Sequence, residues 1–151
     1  MEAQRRLRIL IPNRKNWTYA YPCYEAFVGR GENRRSYVPI IARHFIAARG
    51  RGEYANSPIT CDLHYLWSWP AHRMSSAQLI GLVEQAVARG RWGILTFHGI
   101  CEGHLPTSEH DLRKLLEYLD RNRRRIWVAT VSEVAERILR WRKTTNTSVR
   151  P

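Results

Sequence analysis

Few residues in this chain are placed to do chemistry, and the most sharply placed is His98. It closes the stretch Trp92-Gly93-Ile94-Leu95-Thr96-Phe97-His98-Gly99-Ile100. A run this short, with an aromatic and a threonine, fits a buried parallel strand better than a helix. His98 then stands at the carboxyl end of a strand, where parallel α/β folds build their sites. An imidazole there serves either as a proton donor or acceptor or as a bonded loop residue. Gly99 lets the backbone turn sharply or approach a ligand.

Cys23 is the next candidate, in the loop Pro22-Cys23-Tyr24-Glu25 that follows the short strand-like run Trp17–Tyr21. Pro22 stops that strand because it cannot donate to the ladder. Paired with His98, Cys23 would suggest a thiol nucleophile, but a reactive thiolate needs an electropositive neighbour that the sequence does not show. A structural cysteine in a strand-end loop is the favoured reading. His98 and His104 are six apart with a glycine between them. Asp62-x-His64 is isolated, and no H-x-x-x-H, H-E-x-x-H or Asp-Asp pair occurs. Spacing therefore gives no support for a metal site. Aromatic residues cluster at Trp17, Tyr19, Tyr21 and Tyr24 and again at Tyr65, Trp67 and Trp69. Most are expected in the core, with one or two near strand ends placed to stack on a sugar ring.

The elements that must hold these residues alternate along the chain. Residues 2–10 read as a helix with Leu7, Leu10 and Ile11 on one side and arginines opposite. The strand at Trp17–Tyr21 follows, then a turn at Gly29–Asn33. Ser36–Ala48 has helical spacing through Val38, Ile41, Phe45 and Ile46. Tyr54–Trp69 is irregular, with one short strand near Leu63–Leu66. Ser75 and Gln78 form a capping box opening a helix that ends at Gly90. The strand ending in His98 is next. Ser108 caps a helix whose buried stripe is Leu112, Leu115, Leu116 and Leu119. Ile126-Trp127-Val128 reads as a brief buried strand. Thr130 and Glu133 form a second capping box before a helix through Val134, Ile138 and Leu139. Residues 143–151 carry no apolar pattern and are expected to be a disordered basic tail. Such alternation predicts an α/β fold of parallel strands joined by right-handed crossovers.

The chain has 151 residues, which allows one domain with a real core. Its 25 Lys and Arg against 13 Asp and Glu leave a net charge of +12. That excess would attract an anionic polymer. The arginines are scattered rather than gathered on one recognition helix, so solvated faces are favoured over nucleic-acid binding. Cys23, Cys61 and Cys101 are odd in number and far apart. They are expected to be reduced and partly buried. No apolar run is long enough to span a membrane. The polar N-terminus is no signal peptide, so a cytoplasmic location is expected if Met1 is the true start.

Four stretches in order carry a resemblance. They are Thr18-Tyr19-Ala20-Tyr21-Pro22-Cys23, Leu63-His64-Tyr65-Leu66, Gly93-Ile94-Leu95-Thr96-Phe97-His98-Gly99, and Trp127-Val128-Ala129-Thr130-Val131-Ser132-Glu133-Val134. Together they resemble the C-terminal half of the polysaccharide deacetylases, carbohydrate esterase family 4, the NodB-homology group. The resemblance covers nearly all of residues 1–142. It implies part of a distorted (β/α) barrel, with a groove at the strand carboxyl ends. The family reaction is metal-dependent hydrolysis of N- or O-acetyl groups on carbohydrate polymers, with a divalent ion, often zinc, polarising the carbonyl and water.

By resemblance His98 is the acid that protonates the leaving amine, and the backbone amide of Cys23 contacts the oxyanion. Tyr21, Pro22, Tyr24, Trp67 and Leu95 would bind substrate, Leu95 by lining the acetyl pocket. The family motifs that supply the aspartate base, the aspartate ligand and both histidine ligands do not occur in this sequence. Ala20 stands where the family carries arginine, and Tyr24 where glycine is expected. The resemblance thus implies a chain that retains no cofactor and is inactive by itself, with a partner chain or an N-terminal half supplying the rest. The alternatives are a carbohydrate-binding remnant and a basic binder of nucleic acid or another anionic polymer.

Overall fold

A computed structural model describes residues 2–147. In chain order the elements are α1 (Glu2–Leu10), β1 (Thr18–Ala20), β2 (Phe27–Val28), β3 (Arg35–Ser36), α2 (Val38–Ala42), β4 (Ala47–Arg49), β5 (Trp69–Pro70), α3 (Ser76–Ala88), β6 (Leu95–Thr96), β7 (Gly99–Ile100), β8 (Pro106–Thr107), α4 (Glu109–Arg121) and α5 (Val131–Thr147). The fold is mixed α/β with small, mostly parallel sheets and, among the described residues, no closed barrel.

β1 pairs with β4 in parallel, Thr18 opposite Ala47. Arg49 makes a parallel bridge to Leu66, and the Gly50 and Gly52 amides donate to Leu66 O and Ser68 O at 2.8 and 3.2 Å. That chain runs straight into β5, which pairs with β6 in parallel, Trp69 opposite Leu95 and Pro70 opposite Thr96. Alternate residues of these strands face opposite layers, as the pleat requires. Leu66 and Ile94 pack with Ala135 and Ile138 of α5. Trp69 packs with Ala86 of α3, joined by Leu82 and Leu95. Below it, Ala71, Leu79 and Leu115 join α3 to α4.

The helix ends follow their local chemistry. The Ser75 hydroxyl accepts from the Gln78 amide while the Gln78 side chain accepts from the Ser75 amide. Thr130 and Glu133 repeat the exchange at the start of α5. Gly90 takes φ +58° after α3, a left-handed stop that glycine makes without steric cost.

Several expectations need correction. The helix expected over Ser36–Ala48 is only the five-residue α2, and Ala47–Arg49 is a strand. Alanines favour helix locally, but pairing with β1 on one side and Leu66 on the other outweighs that preference. The turn near Gly29 is the tip of an antiparallel hairpin, β2 with β3. Ile126-Trp127-Val128 forms no strand, and Trp127 and Val128 are 60% and 63% exposed. No neighbouring strand reaches it, and an extended segment without a partner is not stable on its own. Leu116 is exposed, so the α4 stripe is narrower than its spacing suggests. On α1 it is Gln4 that is buried, its amide donating to His44 O at 2.8 Å, while Leu7, Leu10 and Ile11 are exposed. Cys61 is half-buried, but Cys23 and Cys101 are exposed; all three are free thiols. The basic tail expected from 143 is helical through Thr147, and its residues 148–151 lie outside the described residues. No described helix is long and apolar enough to cross a membrane.

One ion pair clamps α3 to the end of α4. Glu84 takes two bonds from Arg125, at 3.0 and 2.7 Å, and a third from the Tyr118 hydroxyl. Arg125 and then Tyr118 hold the Glu84 carboxyl down at about 2, against an ordinary value of 4.5. A lowered carboxyl stabilises the fold above its unfolded value and loses that contribution as pH falls through about 2. Glu84→Gln is expected to lower the urea midpoint at neutral pH slightly, as an exposed pair should. It is also expected to flatten the midpoint's fall between pH 4.5 and 2. Parallel acid limbs in the two proteins would show that the clamp contributes nothing.

Candidate functional site

The register of β5 on β6 builds the site. Because Pro70 sits opposite Thr96, His72 and His98, each two residues further on, come level on the same face. Their rings meet edge to face, centroids 5.4 Å apart at 74°. The Ala71 amide donates to Thr96 O at 2.9 Å and the Arg73 amide to Pro106 O at 2.8 Å, which fixes both carriers. Along the same face the Thr96 hydroxyl donates to Ser68 Oγ at 3.1 Å, and Ser68 donates to Gly50 O at 2.6 Å. This polar seam leads up the strands to the two imidazoles.

A turn from β1 closes the other side. Tyr24 approaches His98 edge-on, ring centroids 6.5 Å apart. Cys23 and Tyr24 both take left-handed backbone angles, φ 51° and 61°. The first hydrogen bond inside the turn is made by the Tyr24 amide to Tyr21 O, at 3.0 Å. The Cys23 amide precedes it, in the position where a short helical turn leaves its donors to outside partners. The described non-glycine residues with positive φ are Cys23, Tyr24, Arg73 and Cys101. All follow strand carboxyl ends, of β1, β5 and β7. Such angles cost on the order of 1 kcal/mol each and gather where surrounding structure holds a site in shape.

Two buried polar atoms at this place make no hydrogen bond, His72 Nδ1 and the Tyr24 hydroxyl. Burial first, then the positive surroundings of His98, Arg73, Arg51 and His104, hold His72 below the usual imidazole value. These surroundings disfavour the charged form of His72, while exposed His98 faces solvent. Gly99 earns its place: a Cβ there would sit 2.7 Å from Glu102 O, so the chain folds back tightly on itself just past His98. The close approach is to its own loop.

The other predicted site residues divide. Pro22 is exposed in the turn beside Cys23. Tyr21 is not in the groove. It is 3% exposed, its hydroxyl donates to His64 O at 2.8 Å, and burial pushes it up to about 12. Leu95 faces the helices, level with Trp69, so it packs against α3 and Thr96 takes the His98 side. Trp67 lies against Tyr54, ring centroids 5.8 Å apart, and covers Gly52. Sequence reasoning missed His72, Arg51, Ser68 and Thr96. Two-residue spacing from the β5–β6 register would have found His72 and Thr96, but only once the register was known.

Compared with known proteins, the chain matches no family model, no curated protein and no solved structure.

Proposed function

We propose that this chain forms the acid-bearing part of a polysaccharide deacetylase-like (β/α) barrel and binds acetylated carbohydrate at its strand carboxyl ends. The observation that carries this reading is the meeting of His98 with the Pro22–Tyr24 turn, two features of the resemblance 75 residues apart in sequence. Tyr24 lends further support: it takes φ 61° where the family pattern has glycine, the residue such an angle favours. Strands that lie in sequence order, β1, β4, the Leu66–Pro70 segment and β6, are the order a barrel of this type uses.

In this reading the His98 imidazolium gives its proton to the departing amine, and the Cys23 amide donates to the oxyanion. The Pro22 ring and the Tyr24 edge border the sugar. The ion used by the family does not fit the residues gathered here. Zinc is held by neutral imidazoles and carboxylates. Here the imidazoles stand near Arg51 and Arg73, and among the described residues no group of three or more His, Cys, Asp and Glu is placed to hold a metal ion. In this reading other polypeptide supplies the base and the ion-holding residues, and hydrolysis needs it.

The test is an amide-resolved NMR titration with an N-acetylglucosamine oligomer. Saturable shifts are expected at Cys23, Tyr24 and His98, with affinity on the order of millimolar, and are expected to weaken in His98→Ala. No acetate is expected from the chain alone. Shifts elsewhere only would remove the binding site, and zinc-dependent acetate release by this chain would remove the divided machinery.

A further inference from the structure

We infer that the basin around His72 and His98 recognises an anionic substituent, a carboxylate, sulfate or phosphate group carried by the ligand. The ligand being a glycan rests on the reading above; the anion preference rests on the basin itself.

Three strand ends converge there and each brings a cation or an imidazole. Arg51 follows β4, His72 and Arg73 follow β5, and His98 follows β6. His104 stands in the loop before β8, its backbone carbonyl taking the Arg73 guanidinium at 2.6 Å, and it lies, like Arg51 and Arg73, near enough to His72 to act on it electrostatically. Arg51 makes no hydrogen bond or ion pair among the described residues, and none of these five groups has a carboxylate partner. The same chain neutralises arginines elsewhere, pairing Arg34 with Glu25 and Arg125 with Glu84. Of the acids in the neighbouring loops, Glu25 is taken by Arg34 at 3.3 Å and the Phe27 amide at 3.2 Å, and Glu102 is exposed and forms no ion pair among the described residues.

Positive groups gathered in a partly walled basin without counter-charge set up a field that an anion relieves. The arginine fork and imidazole N–H are the donors that carboxylate and tetrahedral oxyanions accept most strongly. The guanidinium groups beside the imidazoles disfavour a cation here and favour an anion. Neutral chitin-like chains would fill the groove without using the arginines. A uronate-bearing or phosphate- or sulfate-bearing glycan would use them.

The experiment follows the histidine Cε1–H signals of the whole chain at pH 7 and constant ionic strength, first with sodium sulfate. Saturable shifts are expected at His72 and His98, with His44 and His110 as remote reporters. Arg51→Gln and Arg73→Gln are each expected to weaken sulfate about tenfold, the loss of one charge-assisted bond. Circular dichroism checks that both variants fold. A glucuronic-acid oligomer is then compared with an N-acetylglucosamine oligomer, and the acidic one is expected to bind about tenfold tighter. Linear, unsaturable shifts of equal size at all histidines would overturn the anion site. So would equal affinity for the two oligomers, while leaving carbohydrate binding intact. Saturable sulfate binding with neither oligomer bound would uphold the anion site and remove the carbohydrate reading.

Discussion

Leu66→Ala is expected to lower the stability of the chain by about 3 kcal/mol, a cost typical of a leucine cavity in a core that cannot collapse. Leu66 is fully buried, touching the cluster of Ala47, Leu63, Ile94, Ala135 and Ile138. Its position is pinned from both sides of its own peptide. Its amide donates to Ala48 O and its carbonyl accepts from the Gly50 amide, both at 2.8 Å. Neighbouring backbone therefore cannot move in to fill the void. A domain of this size has about 5–15 kcal/mol in total, so the loss is a large part of it. Urea unfolding with an unchanged slope measures it. Leu116→Ala, at a 56% exposed leucine of α4, is the control and should cost less than about 0.5 kcal/mol. Equal midpoints for the two variants would mean that α5 is not packed on the strands as described.

Gly52→Ala should be nearly as damaging, from the opposite cause. A methyl group there would overlap Cβ and Cγ of Trp67. Trp67 is partly exposed, yet its near end cannot swing away. Asn56 Oδ1 accepts from the Trp67 amide at 2.8 Å, and Asn56 Nδ2 donates to the Trp67 carbonyl at 2.8 Å. Gly52 is itself tied to Ser68 O at 3.2 Å. Relief requires the Gly50–Gly52 and Leu66–Ser68 segments to part, at about 1–3 kcal/mol, the range for overpacking. Those segments carry Arg51 and the Ser68 seam, so the strand-end basin should loosen with them. Tryptophan fluorescence and the urea midpoint read both consequences. The comparison is Gly81→Ala, in open space on α3, which should instead stabilise by about 0.5–1 kcal/mol. A Gly52→Ala protein as stable as the native chain would disprove the close packing of Trp67 on this backbone.

Local chemistry was readable wherever it needed only near neighbours. Both capping boxes, the Gly90 stop and the helices α1, α3, α4 and α5 depend on contacts within a few residues, and the sequence displays them. β4 was not readable. Ile46-Ala47-Ala48-Arg49 spaces its apolar groups as a helix would, and only the flanking chains at Thr18 and Leu66 make it a strand. Trp127-Val128 fails in the other direction, being strand-like in composition but without a neighbour to pair with. The site shows the same division. His98 and the Pro22–Tyr24 turn stood out by residue type next to glycine and proline. His72 did not, because an isolated histidine before an arginine has no pattern of its own.

By itself the sequence determined that strands and helices alternate, where most helices start and stop, and that a histidine follows a strand just before Gly99; the strand itself ends earlier than its composition suggests, at Thr96. Those outcomes follow from side-chain chemistry acting over a few residues. Tertiary structure alone decided which strands lie together and in what register, and so that His72 stands level with His98. It decided, too, that Tyr21 and Leu95 pack inward and that Arg51 and Arg73 come near His72 without an ion pair among the described residues. A one-residue slip of β5 on β6 would turn His72 to the opposite face, and nothing in the local sequence forbids that slip. The burial of Trp69 and Leu95 against α3 forbids it, and that contact exists only in the folded chain.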